Sequence, residues 1–164
     1  MKKICSAVIM LFLFYMSLFS TEFYKNYYID KFGDKTNEWY LYSEDILGTS
    51  PNVLGGKTEF VGKICIDKDT VFFDIKRRNG DTYSGDGFVY IKLENDEIKV
   101  FFVNNYSGSF YPDKKEELRR LILSEKKIKI VVEIKNMPYS FNLGTIDLTA
   151  LHDILKIDKK QVIN

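Results

Sequence analysis

The chain has 164 residues, of which 45% are hydrophobic, 29% charged and 15% aromatic, and its formal net charge is +1. That length corresponds to one ordinary domain, with enough apolar content to bury a core. The near-neutral charge argues against an electrostatic nucleic-acid binder, which needs a basic face to release counterions from phosphate.

Lys2 and Lys3 precede the apolar run Ala7–Met16, and Ser17, Ser20 and Thr21 follow it. A positive head, an apolar core of about 7–15 residues and small residues behind it are the parts of a secretory signal peptide. The run is shorter than the roughly 20 apolar residues that cross a bilayer. A retained N-terminal anchor is the alternative. Cleavage after Ser20 takes 20 of the 164 residues and leaves a single domain of 144, residues 21–164. Losing Lys2 and Lys3 turns the charge of +1 into −1. Cys5 leaves with the signal, so Cys65 has no intramolecular disulfide partner. Cys5 also lies ahead of the apolar run, where a lipid-anchored cysteine would follow it. Cys65 sits in an apolar strand pattern and reads as a buried, inert thiol. The expected location is the periplasm or the cell exterior, with no membrane contact after cleavage.

Phe23–Ile29 is aromatic and strand-like, and Asp30–Asn37 carries closely spaced turn formers around Gly33. Glu38–Tyr42 resumes a strand, and Gly48–Gly56 reads as a loop. Phe60, Gly62, Ile64 and Ile66 then share one face, as do Val71, Phe73 and Ile75, with Asp67-Lys68-Asp69 as the hairpin between them. Asn79-Gly80 and Ser84–Gly87 are flexible stretches. Val89, Ile91 and Leu93 alternate with Tyr90, Lys92 and Glu94. Beyond Asn95-Asp96-Glu97, the expected inward set is Ile98, Val100 and Phe102, alternating with Lys99 and Phe101.

Asp113 with Glu116 has capping-box spacing, and Leu118, Leu121 and Ile122 continue it as one apolar helix face. Ile128, Ile130, Val132 and Ile134 restore strand alternation. Pro138 breaks the chain before Tyr139, Phe141 and Leu143, and Asp147 caps a terminal helix through Leu148, Leu151, Ile154 and Leu155. The polar tail 156–164 is expected to fray. About seven short strands with frequent turns predict an all-β antiparallel β-sandwich, or a barrel, with one or two short attached helices.

Tyr28-Ile29-Asp30-Lys31-Phe32-Gly33-Asp34-Lys35-Thr36, with Tyr40 beyond it, resembles the opening of a group of small exported bacterial proteins. Those continue, after a signal peptide, with an aspartate–Phe-Gly-Asp–threonine segment and alternating strands. Gly48–Asn52 departs from that pattern. The resemblance implies export and an all-β core, and it carries over no functional residue.

Chemistry-bearing constellations are sparse. The single histidine, His152, has neither a second His nor a nucleophile elbow to work with. Asp30 and Asp34, near Asn37 and Glu38, offer oxygen ligands for calcium, but they do not fit the twelve-residue calcium loop, and an Asx-turn is the commoner use of such residues. Asp81 and Asp86 allow the same two readings. Paired carboxylates for glycoside hydrolysis cannot be chosen from among 23 acids. Gly80, Gly85 and Gly87 precede no helix, so they form no phosphate cradle. Trp39, Tyr40, Tyr42, Tyr83, Tyr106, Phe110 and Tyr111 are candidates for stacking on sugars or gripping a peptide. Among them Tyr106, Phe110 and Tyr111 stand out, because Asn104–Tyr111 reads as a polar loop.

The function expected from these features is non-enzymatic binding of a protein or glycan partner outside the cytoplasm. A carbohydrate-binding module, with or without calcium, is the first alternative. A small secreted hydrolase is the second.

Overall fold

The computed structural model describes residues 21–51, 57–135, 137 and 140–161. The signal-peptide expectation at 1–20 and the break at Pro138 and Tyr139 lie outside them. Among the described residues ten strands and two helices follow one another. The strands are β1 (Phe23–Ile29), β2 (Lys35–Ser43), β3 (Ile46–Pro51), β4 (Lys57–Asp67), β5 (Val71–Arg77), β6 (Gly87–Lys92), β7 (Ile98–Tyr106), β8 (Ser109–Pro112), β9 (Lys127–Ile134) and β10 (Ser140–Asp147). Helix α1 (Lys115–Ser124) sits between β8 and β9, and α2 (Thr149–Gln161) closes the described chain. Neither helix is long and apolar enough to cross a membrane.

All pairings are antiparallel, in the order β1-β2-β4-β3-β10-β9-β6-β7-β8-β5, and β5 pairs back with β4. The strands from β3 to β10 therefore join end to end, which is the barrel form of the all-β expectation. Two seams in that ring are thin. Among the described residues β3 meets β10 at the one ladder pair Thr49 and Asn142, and β5 meets β8 at Phe73–Phe110 and Asp74–Ser109. On its edge away from β5, β4 is shared. Its first half pairs with β3 and its end, Cys65 to Asp67, pairs with β2. The β1–β2 ribbon thus attaches to the ring at β4.

Period-two alternation fills the interior. Phe60, Ile64, Ile66, Val71, Phe73, Ile75, Val89, Ile91, Phe110, Ile130, Val132 and Phe141 are all buried there. Phe60 and Phe141 meet edge to face across the core, with ring centroids 5.1 Å apart. The helices add Leu118 and Ile122 from α1, and Leu148 and Leu151 in and just before α2. The α1 side chain Arg119 donates through Nε to the Asp67 carbonyl at 3.1 Å, fixing the helix to the end of β4.

Several expectations are corrected. The inward face of β7 is Phe101 and Val103, while Ile98 and Val100 are exposed. The ladder sets this phase, because Val89 is opposite Phe101 and Gly87 is opposite Val103. Gly48 belongs to strand β3 rather than a loop, held by pairing with Phe60. Asn104–Tyr111 is not a loop either. It is the end of β7, a turn at Ser107 and Gly108, and most of β8. Helix α1 starts at Lys115 with Lys114 at its N-cap and no side-chain cap, and Asp113 instead accepts the Lys114 N–H at 2.8 Å. Asp147 does serve α2, accepting the Thr149 N–H at 2.9 Å, and that helix runs past Leu155 to Gln161.

Candidate functional site: a tyrosine-rich outer face

On a strand, residues that alternate with core residues point outward. The ladders therefore dictate which outward residues become neighbours across strands. Tyr24 of β1 is opposite Tyr42 of β2, Tyr42 is opposite Cys65 of β4, and Cys65 is opposite Phe72 of β5. Phe72 stacks on Tyr111 of β8, centroids 4.9 Å apart and planes 21° apart, and Tyr111 meets Tyr106 of β7 at 5.8 Å. One row of aromatic side chains thus crosses the outer wall from β1 to β7. Beside it, Asn26 is opposite Tyr40 and Tyr40 is opposite Asp67.

Tyr28 shows how the ribbon lies on the barrel. From β1 it reaches past β2, its ring tilted 44° against that of Tyr40 with centroids 5.0 Å apart and its hydroxyl donated to Asp67 Oδ2 at 2.9 Å. Partial burial, the Asp67 carboxylate and the nearby Tyr111 phenol all raise its pKa well above the usual phenol value. Burial and Asp74 raise Tyr111 in the same direction. Tyr28 already donates its single O–H to Asp67, so its oxygen is left to accept, whereas the neutral Tyr111 phenol keeps an O–H to donate. Asp67 is itself fixed, its Oδ1 accepting the N–H groups of Asp69 at 2.8 Å and Thr70 at 2.6 Å. Asp74 accepts the Ser109 hydroxyl.

Cys65 lies under this row rather than on it. Its thiol is buried, and burial with help from Asp74 pushes its pKa up to about 12, against the opposing pull of Lys63 and Lys76. A thiol held protonated at neutral pH is a poor nucleophile. Cys65 is floor, not chemistry.

The sequence candidates separate cleanly. Tyr40, Tyr42, Tyr106 and Tyr111 all belong to the outer face. Phe110 does not. It points into the barrel and is fully buried against the core, as is Tyr83 to within 3%. Trp39 packs on the opposite side of the ribbon, where the Lys25 ammonium lies 4.5 Å from its ring centroid. Tyr24, Tyr28 and Phe72 are the members that reading the sequence did not single out. Phe72 had a usable signal, since it shares its parity with Asp74 and Lys76 rather than with Phe73.

Asp30 and Asp34 sit in the β1–β2 turn. Asp30 Oδ1 accepts the Phe32 N–H at 2.8 Å and the Asp34 N–H at 3.0 Å, an Asx-turn around Gly33, whose φ is +91°. Asp81 takes the Asn79 amide at 2.7 Å and Asp86 takes the Asn105 N–H at 3.0 Å. Among the described residues no group of three or more His, Cys, Asp or Glu side chains is placed to hold a metal ion. His152 Nε2 lies 3.4 Å from the Ile122 carbonyl, a contact between the two helices. In comparisons with known families, curated proteins and solved structures, nothing matches the chain.

Proposed function

We propose that the chain is an exported, non-enzymatic binding protein that grips a glycan on the tyrosine-rich outer face. The observation that carries this reading is the row Tyr24, Tyr42, Phe72, Tyr111 and Tyr106 running across five strands of one rigid wall. A sugar ring presents a flat C–H face to an aromatic ring and hydroxyls at its edge. The neutral Tyr28 and Tyr111 phenols and the Asp67 and Asp74 carboxylates stand beside the rings to meet those hydroxyls. Stacking of about 1 kcal/mol per ring and roughly 1 kcal/mol per hydrogen bond give, for three rings and one or two bonds, a Kd of roughly 0.1–1 mM.

The test is titration of the protein with a panel of soluble oligosaccharides, repeated on the double variant Tyr40→Ala, Tyr111→Ala. Removing two rings is expected to weaken binding by about tenfold or more while leaving the protein folded. Because Asp30 is engaged by backbone N–H groups, the titration is expected to be the same in calcium and in chelator. Binding that survives intact in the double variant contradicts the reading. A panel with no binder at all contradicts it too, and directs attention to a protein partner.

A further inference from the structure

The tyrosine-rich face does not end in a neutral rim. Along β5 the outward positions run Phe72, Asp74, Lys76, and along β4 they run Cys65, Lys63, Val61. Moving from the aromatic row towards the end of β5 therefore leads into a groove of about 280 Å³ lined by Lys63, Lys76, Arg77, Arg78, Asp45 and Asp74. Lys63 marks the border. Its ammonium is 5.3 Å from the Tyr42 ring centroid and 3.0 Å from Asp45. Arg78 is paired with Glu59, and Asp74 accepts the Ser109 hydroxyl. Lys76 and Arg77 are both exposed, and neither has a carboxylate within ion-pairing distance among the described residues. Arg77 lines the groove at the end of β5, and its guanidinium lies over the Tyr83 ring at 5.5 Å. At about 3.3 Å per residue, Lys76 lies roughly 13 Å along the strand from Phe72. A short oligosaccharide covers that distance.

We propose that the glycan recognised here is anionic, an acidic saccharide whose rings stack on the tyrosine-rich face while a carboxylate or sulfate is held by Lys76 and Arg77. The inference rests on the reading of that face as a glycan site. Charge complementarity selects the class. A neutral chain laid over the groove would take water from two exposed cations without answering their charge, whereas an acidic one supplies charge-assisted hydrogen bonds to both.

The experiment compares a uronic-acid hexasaccharide with a neutral hexose hexasaccharide on the full chain, at low and at physiological salt. The expected result is about tenfold tighter binding of the acidic sugar at low salt. That preference should shrink as the Debye length falls from about 30 Å at 0.01 M to about 8 Å at 0.15 M. The double variant Lys76→Ala, Arg77→Ala should bring the ratio of acidic to neutral affinity close to one. The single variant Lys76→Glu, which alters only an exposed strand position, should lower that ratio without touching Arg77 or its Tyr83 contact. Equal affinity for both sugars in the unaltered chain overturns this inference and leaves the glycan reading standing. A preference that persists in both variants also overturns it. Binding of neither sugar overturns both.

Discussion

Phe110→Ala is expected to destabilise the protein by about 3–5 kcal/mol and to lower its thermal midpoint on the order of 10 °C. The side chain is fully buried and sits on β8 opposite Phe73, at one of only two ladder pairs joining β5 to β8. Truncation leaves a cavity that cannot collapse without pulling β8 away from β5, so the lost contacts include those that close the ring. Thermal or urea unfolding measures the loss. The next residue provides the contrast. Tyr111 points to the opposite face, and its neighbour in the aromatic row, Tyr106, is 67% exposed, so Tyr106→Ala should change stability by no more than about 0.5 kcal/mol. A Phe110→Ala protein of unchanged stability would mean that β8 is not part of the wall.

Gly87→Ala is expected to cost more than about 4 kcal/mol or to prevent folding, which places it among the rare, severe substitutions. Gly87 opens β6, pairing with Val103 of β7 on one side and Ile134 of β9 on the other. A Cβ there would lie 1.9 Å from the Glu133 carbonyl oxygen, 2.9 Å from its carbonyl carbon and 3.0 Å from Ile134 Cα. All three are backbone atoms of β9, so no side-chain rotation relieves the clash. Either the β6–β9 ladder breaks or β9 shifts, and β9 carries Ile130, Val132 and Ile134 into the core. Soluble yield and urea unfolding report the outcome. A well-folded variant within about 1 kcal/mol of the parent would contradict the close strand approach described here.

These two residues show what the sequence made legible. In β4, β5, β6 and β9 the residues that alternation places inward are the fully buried ones, even though Phe72, Phe88, Tyr90 and Val131 carry apolar side chains on the other parity. In β7 the run Val100-Phe101-Phe102-Val103 is apolar on both parities, so alternation holds no answer. The phase is set by which residues meet β6. Strands β3 and β8 were invisible because Gly48 and Pro51 interrupt the first, and because the four residues Ser-Phe-Tyr-Pro of the second are too few to show an alternation beside Asn104, Asn105, Ser107 and Gly108. Reading Asn104–Tyr111 as a loop put Phe110 and Tyr111 on the same surface. A strand puts adjacent residues on opposite faces, and one of them became core. The outer face itself depends on pairings between residues far apart in sequence, such as Tyr42 with Cys65 and Phe72 with Tyr111. Composition named some of its members, and only register brought them together.

The most direct measurement is NMR mapping of the bound sugar, following backbone amide and tyrosine ring shifts as the best-binding oligosaccharide is added. The largest changes are expected at Tyr24, Tyr28, Tyr40, Tyr42, Phe72 and Tyr111, with an acidic sugar extending them to Lys76 and Arg77. Changes centred instead on the exposed Ile98 and Val100 of β7, or on the helices, would contradict the central claim that this outer wall is the binding face.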